Sequence, residues 1–135
     1  MMDEQKDKGM EIVREYSMKY YGRIVEAYEL MGRYLPDPMV KWIEFRKSVF
    51  EDPPIGALTL REKELIALTI EIANLKPNSE THAKLAIRAG AKVKEIAEVA
   101  AICVLLGGMA TYMASGQNAL RAAEEEYEKM EKENK

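Results

Sequence analysis

The 135-residue chain contains one cysteine, one histidine and one tryptophan, and its only glutamines are Gln5 and Gln117. A lone Cys103 cannot close an intrachain disulfide and excludes a cysteine-based structural zinc site. In Ala100-Ala101-Ile102-Cys103-Val104-Leu105-Leu106 it reads as a small core residue, since no cation nearby in sequence would activate a thiol. The lone histidine, His82, is the one side chain that titrates near neutrality without help from its surroundings. No apolar run approaches the roughly 20 residues that span a bilayer, and residues 1–8 lack the apolar stretch of a signal peptide. The net charge is -3, and no basic patch is interleaved with aromatics, so neither nucleic acid nor a membrane is an expected partner. A soluble, cytoplasmic protein is the expectation.

The chain does have enough apolar residues, 47%, and enough length for one globular domain, read here as residues 1–135 with no internal boundary. Residues 1–9 are polar and are expected to be disordered. Abundant Glu and Lys beside scarce Gln fit a thermophile.

Every strong periodicity is helical, which predicts an all-α fold, a bundle of about six helices. Val13, Ser17, Tyr20, Ile24, Tyr28, Met31 and Leu35 form one stripe of a helix over about 11–34, weakened at Gly22 and Gly32 and stopped by Pro36. Asp37-Pro38 restarts a second helix, with Asp37 as its cap. After the loop Glu51-Asp52-Pro53-Pro54-Ile55-Gly56, Thr59-Leu60-Arg61-Glu62 reads as a capping box. It opens a third helix to about Asn74, apolar most of the way round and therefore expected to be buried. Ser79 is a candidate cap for a short fourth helix over 80–89, closed by Gly90. A fifth runs from about Lys92 to the Gly107-Gly108 break. The last, over 109–132, lines Met109, Met113, Gly116, Leu120, Ala123, Tyr127 and Met130 on one face.

One constellation could carry chemistry. His82 falls in the first turn of the fourth helix, with Leu85, Ala86 and Ala89 on its face. That setting suits a neutral imidazole, which accepts a proton at one nitrogen and donates at the other, as a general acid/base must. Glu64 and Glu71 are seven residues apart, so they lie about 20° apart around the third helix and two turns apart along it. Glu71 sits in Leu68-Thr69-Ile70-Glu71-Ile72, where a carboxylate is costly without a partner. A short turn could fold His82 back onto this face, where a carboxylate would fix its tautomer. The residues equally allow a locally packed His82, an exposed Glu64, and a Glu71 paired with Lys or Arg.

The run Leu58-Thr59-Leu60-Arg61-Glu62-Lys63-Glu64-Leu65-Ile66-Ala67-Leu68 resembles the opening of the core helix of the carboxymuconolactone decarboxylase/alkyl hydroperoxidase D-like family. So does His82-Ala83-Lys84-Leu85-Ala86-Ile87-Arg88-Ala89-Gly90-Ala91 followed by Lys94-Glu95-Ile96-Ala97-Glu98, and so does the break at Leu106-Gly107-Gly108-Met109. The resemblance covers about residues 35–120. It implies an all-helical fold that assembles with copies of itself into homotrimers or homohexamers. Thiol-active members of the family carry Cys-x-x-Cys followed by three residues and His. Counted back from His82, those two places hold Leu75 and Asn78, so thiol peroxidase chemistry is excluded. The decarboxylase branch, which lacks the thiols and keeps the His, is the better match. It implies cofactor-independent and metal-independent decarboxylation or proton transfer on a small unsaturated lactone or carboxylic acid. His82 would then be the proton carrier, Glu64 would orient it and Glu71 would assist. Lys84 and Arg88 are the nearest cations for a substrate carboxylate. The alternative is a non-catalytic oligomeric member that binds a small ligand or acts as a scaffold, with Glu64 and His82 apart or their cleft closed by Leu75.

Overall fold

A computed structural model describes residues 2–134, with side chains from residue 4. Among the described residues there are seven α-helices, one π-helical turn and no strand, which is the expected all-α class. The chain divides into two compact units, one ending at Glu51 and the other beginning at Asp52. The boundary falls in the Pro-Pro loop, where the composition had suggested a loop but no division.

The first unit contains α1 (Met2–Tyr21), α2 (Glu26–Tyr34) and α3 (Pro36–Val49). Residues 2–9 form the opening turns of α1, and Gly9 and Met10 are buried. The expected long first helix is two helices, broken at Gly22. The break resets the register: Val13 and Ser17 are buried, whereas Ile24, Met31 and Leu35 further along the predicted stripe are exposed. Asp37 is not a cap. The helix α3 starts one residue earlier, at Pro36, whose fixed φ suits a first helical position, and Leu35 occupies the cap without a side-chain bond. Val13, Tyr16, Met39 and Ile43 form the core here, bordered by Tyr20, Tyr21 and Tyr28.

The second unit contains α4 (Leu60–Ala73), α5 (Ser79–Arg88), α6 (Val93–Gly107), the π-helical turn Tyr112–Gly116 and α7 (Gln117–Glu133). The α4 capping box is formed, with Thr59 accepting from the Glu62 N–H and Glu62 accepting from the Thr59 N–H. The helix packs on α5, α6 and the π-turn. It is not buried all round: Ile66 and Ile70, opposite Leu68 and Ile72, are exposed. The core is small-residue packing of Ala83, Ala86, Ala91, Ala119 and Ala123 around Leu68, Ile72, Ile87, Ile96 and Cys103. Cys103 is buried as expected, and burial raises its thiol pKa, which disfavours the thiolate. No described helix is long and apolar enough to cross a membrane.

The last helix is interrupted by the π-turn, which sequence periodicity did not suggest. A π-turn advances the chain by more residues than α geometry allows and so rotates the faces that follow. Gly116, Ala123 and, in part, Leu120 and Met130 remain inside, while Met109 and Met113 of the predicted stripe are turned outward, each 60% exposed. Gly116 lies in close contact here: an added Cβ would sit 3.3 Å from Tyr112 Cδ2, tighter than usual, and at ordinary contact distance, 3.4 Å and 3.6 Å, from Ala100 and Ile72.

Candidate active site

The helix α4 places Glu64 and Glu71 on one face, as their spacing requires. At its C-terminus the chain reverses in three residues: Leu75 N–H bonds the Ile72 carbonyl at 3.0 Å, and Lys76 N–H bonds the Glu71 carbonyl at 2.9 Å. This pairing is a Schellman closure, in which the residue after the cap adopts left-handed backbone. Leu75 does so, at φ 58°. The next helix then begins at Ser79 and brings His82 back over α4.

His82 Nδ1 lies 2.8 Å from Glu64 Oε2, and His82 Nε2 lies 3.4 Å from Glu71 Oε1. The imidazole therefore bridges the two carboxylates. Glu64 is 3% exposed, while His82 and Glu71 retain 19% and 21% exposure, so solvent or a ligand reaches only the outer side of the bridge. Glu71 Oε2 is buried without a hydrogen-bond partner. Burial raises the Glu71 pKa and the nearby Glu64 charge adds to this, while His82 and Lys76 oppose it. A carboxyl with these neighbours holds its proton to higher pH than an ordinary glutamate.

The proton inventory follows from the geometry. An ionised carboxylate only accepts, so Nδ1–H donates to Glu64, and the Nε2 lone pair of a neutral ring faces Glu71. A proton between Nε2 and Glu71 can reside on either, and a substrate atom entering on the exposed side would meet both. Pre-set acid/base partners of this kind are what proton transfer to carbon or oxygen requires.

The two cations named from the sequence are elsewhere. On an α-helix, Lys84 and Arg88 are turned about 200° and 240° from His82. Arg88 is also ion-paired through Nε with Glu126 of α7. The cation whose charge reaches Glu71 is Lys76, in the three-residue turn. Its proximity depends on the Schellman geometry, which leaves no signature in the sequence. Ser79 does not cap α5. It is the first helical residue, fully buried, and its hydroxyl meets Ser115 instead. The described residues contain no group of three or more His, Cys, Asp or Glu side chains arranged to hold a metal ion. A separate cavity of about 520 Å³ lies between the α5–α6 turn and the end of α7, lined in part by Ile87, Ala91, Tyr127 and Met130. None of the candidate site residues lines it.

An all-α fold with a histidine bridged by two glutamates of the preceding helix defines a class, and the family follows from comparison. The model of the carboxymuconolactone decarboxylase family matches residues 36–125, and the chain belongs to that family. A crystal structure of a provisionally named carboxymuconolactone decarboxylase from Burkholderia xenovorans LB400 is similar in fold, with a TM-score of 0.81 at 22% identity. The match covers 96% of this chain and 98% of that one. No curated protein sequence matches the chain significantly.

Proposed function

We propose that the protein is a cofactor-independent acid/base enzyme that decarboxylates, or moves a proton on, a small unsaturated lactone or carboxylic acid. The observation that carries this reading is the His82 bridge, 2.8 Å to a buried Glu64 and 3.4 Å to a Glu71 whose pKa is raised. In the proposed reaction the substrate loses CO₂ and its electron pair passes into the conjugated system, giving a dienolate. The Glu71 carboxyl gives its proton to the Nε2 lone pair, Nε2–H delivers that proton to carbon, and Glu71, left ionised, takes up a proton from solvent after product leaves. Glu64 holds the ring in one tautomer through Nδ1. Lys76 supplies positive charge near the position of a substrate carboxylate, a role for which Lys84 and Arg88 face the wrong way. With a single cysteine in the chain, a dithiol cycle is not available to it.

The non-catalytic alternative expected Glu64 and His82 apart or their cleft closed by Leu75. The 2.8 Å contact favours the enzyme over a member with Glu64 and His82 apart. Self-assembly into a homotrimer or homohexamer, and a cytoplasmic location, are part of the proposal. Light scattering coupled to size exclusion tests the assembly, and a monomer would refute it. The activity test is CO₂ release from a carboxymuconolactone. Wild-type protein should release it and His82→Gln should not, while undiminished release by the variant would end the reading.

A further inference from the structure

We infer that Ser115 is a positioning residue for the His82 site, acting through Ser79 and the Lys76 carbonyl. This rests on the reading of His82 as proton carrier, but its test does not depend on turnover.

Both serines are fully buried, with 0% exposure. A buried hydroxyl without partners is costly, so their partners define their role. Ser115 Oγ donates to the Lys76 carbonyl at 2.7 Å, and the two hydroxyl oxygens lie 2.8 Å apart. Each hydroxyl has one proton. With the Ser115 proton on Lys76, the Ser79 proton points back to Ser115, whose carbonyl is also within 3.2 Å. Both hydroxyl protons are then used.

Its placement gives it leverage. Lys76 is the residue just beyond the α4 closure, and Ser79 is the first residue of α5. Ser115 therefore grips both sides of the turn that joins the helix of Glu64 and Glu71 to the helix of His82. Ser79 and His82 are three residues apart, hence neighbours on one side of the first turn of α5. Rotation of α5 about that turn would move the ring away from both carboxylates, and the serine pair opposes that rotation. The π-turn makes the grip possible. It places Ser115 toward the turn while Gly116 lies against Ile72, the residue after Glu71. Insertions of this type recur where a helix must re-aim a side chain.

The lone histidine makes the test clean, because every imidazole signal belongs to His82. The probe is nitrogen-15 NMR of the ring in the full chain, compared with Ser115→Ala. In wild type the Nδ1–H tautomer should dominate. In Ser115→Ala its ratio to the Nε2–H tautomer should fall by about fivefold, the equivalent of one ordinary hydrogen bond. The hydrogen-bonded Nδ1 proton should also broaden. Ile96→Val, a core change of similar cost away from the turn, should leave both signals in place. Unchanged His82 signals in folded Ser115→Ala overturn the inference, as does an equal change in Ile96→Val. If Ser115→Ala does not fold, Ser79→Ala decides in the same way. If His82→Gln keeps full activity, the proposed function fails, while the NMR result on Ser115 stands or falls by itself.

Discussion

The two compact units bury titratable side chains by the same physics and with opposite consequences. In the first, Tyr16 and Tyr28 lie in an aromatic cluster with Tyr20, Tyr21 and Trp42, with ring centroids 4.7–6.5 Å from Tyr16. Burial pushes both phenols far above the ordinary tyrosine range, although the nearby Arg46 pulls the other way. The Arg46 guanidinium lies 5.8 Å from the Tyr16 ring and 4.3 Å from the Phe50 ring. In the second unit, burial likewise raises Glu71. Desolvation always disfavours the charged form of an acid. For a phenol this moves titration further from neutrality and leaves an inert structural group. For a carboxyl it moves titration toward neutrality, where a proton can be exchanged. Burial alone therefore does not mark a functional site. The intrinsic pKa of the buried group decides.

The largest effect expected from this contrast is on chemistry in the second unit. His82→Gln should lower turnover by about 10²–10⁴-fold, the usual contribution of one general acid/base, with the melting temperature nearly kept. Turnover of the carboxymuconolactone checks it, and a loss below tenfold would put the site on a par with the inert phenols. In the first unit the corresponding loss should be in stability. Ile43, fully buried beside Tyr16, should cost about 2–5 kcal/mol on truncation to Ala, read by urea unfolding. A cost well under 1 kcal/mol would mean that the aromatic cluster is not tightly packed.

A third test addresses the sign of the Glu71 shift. Because its pKa is raised in the folded state, folding favours the protonated form. The stability this gives is complete below the ordinary glutamate range and is lost as pH rises through the folded value. Glu71→Gln, uncharged at every pH, should lack that loss. Its melting temperature should gain on wild type as pH rises from acidic to neutral. Parallel curves would contradict the shift.

The smallest effects concern the two chain reversals that flank α5. Both are Schellman closures. Gly90 N–H bonds the Ile87 carbonyl at 3.0 Å and Ala91 N–H the Ala86 carbonyl at 2.9 Å, matching the pattern at Leu75 and Lys76. Gly90 adopts φ 102° without a Cβ in the way, whereas Leu75 holds φ 58° with a branched side chain. Gly90→Ala should destabilise by about 1 kcal/mol, and Leu75→Gly should stabilise by about 1 kcal/mol or less, since glycine also loosens the unfolded chain. Thermal unfolding of the pair checks this, and changes of equal sign would contradict it.

These turns also show what could be read in advance. The Gly90 stop and the Thr59 box were legible because both use residues selected for their local backbone chemistry. The shared face of Glu64 and Glu71 was legible because helical spacing is fixed. The Leu75 reversal was not, because a leucine gives no sign of left-handed backbone. Lys76 was missed with it, since its reach to Glu71 depends on that turn. The π-turn was invisible to a 3.6-residue period, so the role of Ser115 and the outward turn of Met113 were invisible too. Opposite-charge pairing of Arg88 with Glu126 joins residues far apart in sequence, and neither has a local signature. Local rules reached the carboxylates and the histidine. The contacts that hold them together depend on tertiary placement.

The most direct test of the central claim is the tautomer of the one imidazole, measured by nitrogen-15 NMR in wild type and in Glu64→Gln. A wild-type ring with its proton on Nδ1, shifted toward the other tautomer in Glu64→Gln, is the result predicted by the His82–Glu64–Glu71 bridge. A ring with its proton on Nε2 in wild type, unaffected by the loss of the Glu64 carboxylate, would contradict it.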